Sequence, residues 1–159
     1  MARARPGAAS LTPSSGATEL TPGPNPARIT IRRLVEYSDT DSSGHYHNGA
    51  VIRWSEAAEA VLHQRLGIAH RTFGLTPRLR LEVDFRERLY FLDDIDIDLA
   101  VTHVGRTSLR YRFEVRRDQA VAVTGELVTA YLPRDANHTE PWPDDIRRAL
   151  TEGGDRTNA

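Results

Sequence analysis

Three runs between residues 78 and 115 alternate apolar and polar residues with a period of two, and one stretch upstream repeats at helical spacing. Leu79, Leu81, Val83 and Phe85 alternate with Arg78, Arg80, Glu82 and Asp84. Ile95, Ile97, Leu99 and Val101 alternate with Asp94, Asp96, Asp98 and Ala100; Leu109, Tyr111, Phe113 and Val115 alternate with Ser108, Arg110, Arg112 and Glu114. Because successive strand side chains point to opposite faces, each run predicts a strand buried on one face only. A fourth run, Ala120 to Leu132, is apolar on both faces for part of its length, as a central or interface strand would be. Short hairpins are expected at Val104–Thr107 and Arg117–Gln119. Arg28 to Tyr37 alternates too and supplies a first strand.

Between the first strand and the rest lies the helical stretch. Val51, Trp54, Ala58, Val61 and Leu62 recur at helical spacing, with Ala57 and Leu66 widening the stripe. Asn48 is placed to cap its start and Gly67 to follow its last turn, giving one helix of about 18 residues. The order is strand, long helix, then four antiparallel strands. One amphipathic helix cannot cover five strands of a flat sheet. A sheet curved around a central helix solves the problem, and a second subunit would pair its edge. The expected class is therefore α+β: a hotdog fold, a five-stranded antiparallel sheet wrapped around one long central helix.

With 159 residues there is room for one core and not two. That domain is expected over 28–135. Residues 1–27, rich in Pro, Gly, Ser and Thr, read as a disordered tail, favoured over a targeting leader. Residues 136–159 read as an extension in which Asp144 to Leu150 form a short helix before a frayed end. Cysteine is absent, which removes disulfides, thiolate metal sites and a cysteine nucleophile, and fits a reducing, cytoplasmic compartment. All 21 basic residues are arginine, so no lysine enters any catalytic scheme. A net charge of −1 argues against a general nucleic-acid partner, and no apolar run approaches the roughly 20 residues that span a bilayer.

Chemistry concentrates in the loop before the helix, Tyr37-Ser-Asp-Thr-Asp-Ser-Ser-Gly-His-Tyr-His-Asn48. A helix N-terminus offers unpaired N–H groups and about half a unit of positive charge. The N–H of Asn48 or a neighbour can hold the oxyanion of a thioester carbonyl. A loop carboxylate opposite that point can attack the carbonyl carbon or deprotonate the attacking water. The same Asp and Ser residues also serve as ordinary turn and cap formers, and spacing leaves both readings open.

The loop resembles the signature of the 4-hydroxybenzoyl-CoA thioesterase family of hotdog proteins, Asp-x-Asp-x-x-Gly-His-x-x-Asn followed by Trp-x-Glu on the helix. Asp39, Asp41, Gly44, His45, Asn48, Trp54 and Glu56 stand at matching spacings. The similarity continues through Leu81–Phe85, Asp93 and Gly105–Leu109 to about Leu132. The resemblance implies Asp41 as nucleophile or general base, an oxyanion-binding N–H at Asn48, and Glu56 facing the acyl pocket. It implies that Asp39 braces the loop, and that Arg106 and Ser108 lie near the pantetheine and nucleotide of coenzyme A. His45, His47 and Val51 complete the expected substrate-binding set. Val51 stands where the family commonly has Tyr, leaving room for a bulkier acyl group, and Glu59 stands where it commonly has Arg.

The implied activity is hydrolysis of an acyl-CoA or acyl-carrier-protein thioester, in polyketide or other secondary metabolism, by a homodimer or homotetramer without a cofactor. Two rivals remain. A hotdog dehydratase would need a facing histidine and carboxylate, for which Asp41 and His45 are available. A non-catalytic acyl-CoA-binding protein would keep the pocket without the chemistry. His45, His47 and the two aspartates do not fix a third and fourth ligand, so no metal is expected.

Overall fold

The structure is a computed structural model and is described here over residues 23–159. Five strands form one antiparallel sheet: β1 (Arg28–Leu34), β2 (Arg78–Phe85), β3 (Asp94–Val104), β4 (Ser108–Arg117) and β5 (Ala120–Ala130), in the spatial order β1-β3-β4-β5-β2. Helix α1 (Asn48–Arg65) has the expected 18 residues, and α2 (Ala69–Thr72) is a single turn after it. The chain is α+β with the hotdog arrangement of helix and sheet.

Val51, Trp54, Ala58 and Leu62 of α1 are buried against Ile95, Ile97, Leu99, Tyr111 and Phe113 in one continuous core. At the start of α1, His47 is the residue with extended backbone that caps the helix, and Asn48 is the first helical residue rather than the cap. At its end Gly67 takes φ 72°, where a residue with a Cβ would be strained. Asp118 turns the β4–β5 hairpin at φ 53°, a conformation aspartate tolerates better than most residues.

β2 departs from its expected face. Leu81 and Val83 pack against the core, but Leu79 is 60% and Phe85 49% exposed. The register with β5 shifts between Arg78 and Arg80, and a one-residue slip turns a side chain to the other face.

Past Ala130 the chain returns to cover the structure. Trp142, and Ile146 and Leu150 of α3 (Asp144–Glu152), join the same core. The expected frayed end instead lies along β1: Arg156 N–H donates to Arg28 O (2.8 Å) and Thr30 N–H to Thr157 Oγ1 (3.0 Å). Ala27 is fully buried, its N–H on Leu150 O, so packing begins ahead of β1. The part of the expected tail at 1–22 lies outside the described residues.

Candidate active site

The loop between β1 and α1 contains two aspartates with opposite environments. Asp39 is buried. Its Oδ2 accepts from Glu36 N–H (2.9 Å) and Trp54 Nε1–H (3.3 Å), and its Oδ1 from Arg53 Nη2 (2.7 Å). Burial alone would raise its pKa, yet these donors and the Arg53 charge outweigh it and hold the carboxyl below its ordinary value. Asp39 O also accepts His47 N–H (2.9 Å). The residue therefore ties the loop to the first turns of α1 and has no free oxygen for chemistry.

Asp41 is exposed. Its Oδ1 accepts from the Ser43 N–H (2.8 Å) and the Ser43 hydroxyl, while Oδ2 has no partner among the described residues. The Ser43 hydroxyl and amide, helped by His45 and His47, lower its pKa, so the carboxylate is charged at neutral pH. Gly44, at φ 84°, closes the turn that brings the chain back, with its N–H on Asp41 O (3.0 Å).

His45 pairs through its backbone with Tyr90, and its Nδ1 lies 3.2 Å from Tyr46 O. His47 reaches back to Ser38 O with Nε2 (3.3 Å). Asn48, with its amide at the head of α1, lines a cavity of about 210 Å³ together with His45, Tyr46, Phe85 and Arg88.

A larger cavity, about 560 Å³, lies along the C-terminal half of α1 between that helix, α2 and the start of β2. Glu56 is exposed at this cavity, with Glu59, His63 and Arg78 among its lining. Glu59 Oε2 pairs with Arg78 Nη2 at 2.5 Å. His63 is buried between Thr72 Oγ1 (2.8 Å from Nδ1) and the Tyr111 hydroxyl (2.6 Å from Nε2). Burial, and then the Arg78 charge, push His63 down to about 4, so the ring is neutral at neutral pH. Tyr111, wholly buried, is pushed well above its usual value and stays protonated. Because the Thr72 hydroxyl donates to Ile68 O (3.1 Å), the network assigns His63 Nδ1–H as donor to Thr72 and Tyr111 O–H as donor to Nε2.

The expected site residues therefore divide. His45 and Asn48 share the smaller cavity, Asp41 stands on the loop beside it, and Glu56 belongs to the larger one. Val51 is fully buried in the core and lines neither cavity. Arg106 lies in the β3–β4 turn and Ser108 opens β4, the strand that carries Tyr111; their carbonyls accept from Trp142 N–H and Nε1–H. Glu59, His63, Thr72, Tyr111 and Arg78 were not expected as a unit. The signal was present: Ser55, Glu59 and His63 follow each other at intervals of four along the flank of the apolar stripe.

The model of the thioesterase-like superfamily matches residues 35–150. The chain belongs to that family. Consistent with the fold and the loop, it is a thioester hydrolase of hotdog architecture. Among curated relatives it is 21% identical over 127 residues to a 1,4-dihydroxy-2-naphthoyl-CoA hydrolase of Synechococcus elongatus, covering 76% of this chain and 93% of the relative. Among solved structures, a predicted thioesterase from Bacillus stearothermophilus superposes with a TM-score of 0.73 at 29% identity, over 80% of this chain and 97% of that one. A thioesterase from Thermus thermophilus, solved with coenzyme A and Zn, gives 0.70 at 25% identity, over 77% and 96%. Among the described residues no group of three or more His, Cys, Asp or Glu is placed to hold a metal, and no helix is long and apolar enough to cross a membrane.

Proposed function

We propose that the protein hydrolyses a coenzyme A thioester at the head of α1, with Asp41 as the reacting carboxylate and the Asn48 N–H as oxyanion donor. The observation that carries this is the contrast within the loop: Asp39 is fully engaged, while Asp41 is charged, exposed and has no partner for Oδ2 among the described residues. Asp41 Oδ2 would attack the thioester carbon, expelling the thiolate and leaving a mixed anhydride that water hydrolyses. Alternatively it would take a proton from the water that attacks. The coenzyme A portion is supported by the relatives, which are 1,4-dihydroxy-2-naphthoyl-CoA hydrolases, and by the coenzyme A in the Thermus structure.

We further propose that a second copy completes the site. The start of the β1 edge is covered by residues 154–157, whereas among the described residues nothing covers the β2 edge, which carries exposed Leu79 and Phe85. Two β2 strands meeting across a twofold axis pair antiparallel, so the two α1 helices also run in opposite directions. The head of one helix, with Asp41 and Asn48, then approaches the larger cavity and Glu56 of the other. A dehydratase fits less well: among the described residues the Asp41 carboxylate accepts only from Ser43, and the His45 ring is directed to Tyr46 O.

The test is release of free thiol from a panel of acyl-CoA esters, repeated with Asp41→Asn. Hydrolysis that is lost in the variant supports the reading, and undiminished hydrolysis removes Asp41 from it. Tight acyl-CoA binding without turnover in the wild type identifies a binding protein instead. Light scattering at assay concentration should give a dimer or tetramer, and an active monomer would rule out the shared site.

A further inference from the structure

The larger cavity holds a polar arrangement that its own surroundings leave incomplete. Glu59 is about nine-tenths buried, and its Oε2 is committed to Arg78 Nη2. Glu59 Oε1 and Arg78 Nη1 are both buried with no hydrogen-bond partner among the described residues. The Tyr111 hydroxyl lies near enough to Glu59 to feel its charge, but it is 2.6 Å from His63 Nε2, and with the Thr72 hydroxyl on Ile68 O the network directs it to the histidine. An unpaired acceptor and an unpaired donor therefore lie just beneath the wall of a cavity whose remaining lining includes Ala60, Ala69 and Phe73, within reach of a ligand once the two side chains turn slightly outward.

We infer that this cavity takes the far end of the acyl group, and that Glu59 and Arg78 select a terminal group that donates and accepts at once, a hydroxyl or a carboxamide. Its O–H or N–H would donate to Glu59 Oε1, and its oxygen would accept from Arg78 Nη1. A terminal carboxylate would meet the Glu59 charge with no proton to give. A plain alkyl end would leave both buried groups unpaired, and sites built to hydrogen-bond a substrate discriminate most strongly against that case. The His63–Tyr111–Thr72 chain acts as a positioning unit: being neutral and internally satisfied, it neither competes for the pair nor adds a charge behind it. The identity of the ligand as an acyl group rests on the thioesterase reading; the selection of its end rests on this cavity alone.

The experiment uses matched straight-chain acyl-CoA esters with and without a terminal hydroxyl, over a range of chain lengths. At the length that reaches the pair, the hydroxylated ester should be turned over about 10- to 100-fold more efficiently in kcat/KM, the range expected for hydrogen bonds to charged groups. Glu59→Met/Arg78→Met, which removes both charges and strands neither, should abolish or reverse that preference while still melting cooperatively. If the double variant does not fold, Glu59→Gln preserves volume and an oxygen for Arg78 and should weaken the preference alone. Equal kcat/KM within every pair, or a preference intact in a folded variant, overturns the inference. Calorimetry with the corresponding non-hydrolysable thioethers separates the two readings. Selective binding of the hydroxylated thioether without hydrolysis of any ester supports the cavity and overturns the hydrolytic function. Hydrolysis without selectivity does the reverse.

Discussion

The two ends of α1 handle charge in opposite ways. At the head, Asp39 is saturated so that Asp41, one turn of loop away, is left charged with an oxygen open to solvent. Toward the tail, charge is withdrawn from solvent: Glu59 and Arg78 are paired, and His63 is kept neutral by burial. A group that must react needs an accessible lone pair, and one that must discriminate needs to be dry, because an unpaired polar atom is penalised only where water cannot reach it. The contrast predicts that the head tolerates mutation structurally and fails chemically, whereas the tail responds through stability and selectivity.

The largest effect should come from Asp41→Asn. On the proposed role of Asp41 as the reacting carboxylate, its loss is expected to lower kcat/KM by about a thousandfold or more. Because Asp41 is exposed, the unfolding free energy should stay within about 0.5 kcal/mol of the wild type. A denaturant titration showing substantial destabilisation would blur the division between the two aspartates.

Asp39→Ala should produce the converse result, a stability loss of about 3 kcal/mol, since it strands the Trp54 and Glu36 donors. Any fall in activity should follow the fraction unfolded; a folded variant with unimpaired loop geometry and no activity would mean Asp39 takes part in the reaction.

His63 tests the tail. Its folded pKa, about 4, lies below the roughly 6.5 of an unfolded histidine. Between these values the unfolded chain binds a proton that the folded one does not, so stability rises with pH through this window and is lost as pH falls. Between pH ~7.5 and ~5 the loss should be on the order of 2 kcal/mol. His63→Gln should be less stable at neutral pH and lack that part of the slope. An identical pH dependence in the variant would show that the ring titrates normally.

The smallest effect belongs to Gly49→Ala. A Cβ there would stand 2.9 Å from His47 Cε1, so the ring must move away from Ser38 O. Alanine gains up to about 1 kcal/mol in a helix, so stability should change little or improve. Activity read alongside it tells whether the His47 ring position matters to the head.

Much of this was legible in the sequence because the physics was periodic. The length of α1 and the runs at 94–104 and 108–117 follow directly from which residues must share a face. β2 was harder, because an edge strand with a register shift can leave Leu79 and Phe85 outside the core without violating the alternation. In the loop, the pattern singled out Asp39 and Asp41, but only the donors around each show how differently they are placed. The buried polar unit is not legible in the pattern, because a stripe traced through apolar residues passes over Glu59 and His63. Their partners, Arg78 and Tyr111, are 19 and 48 residues away, a pairing that no local pattern encodes.

The covering of β1 by residues 154–157 bears on how far the molecule can assemble. Its remaining edge carries Arg32 and Arg33, whose charges oppose further pairing. Under the proposed pairing through β2, the described residues give each chain a valence of one for sheet extension. Two copies joined through β2 exhaust it, and the combined sheet stops growing. Removing residues 154–159 would raise that valence to two, turning a self-limiting pair into a unit able to add neighbours indefinitely along the hydrogen-bonding direction.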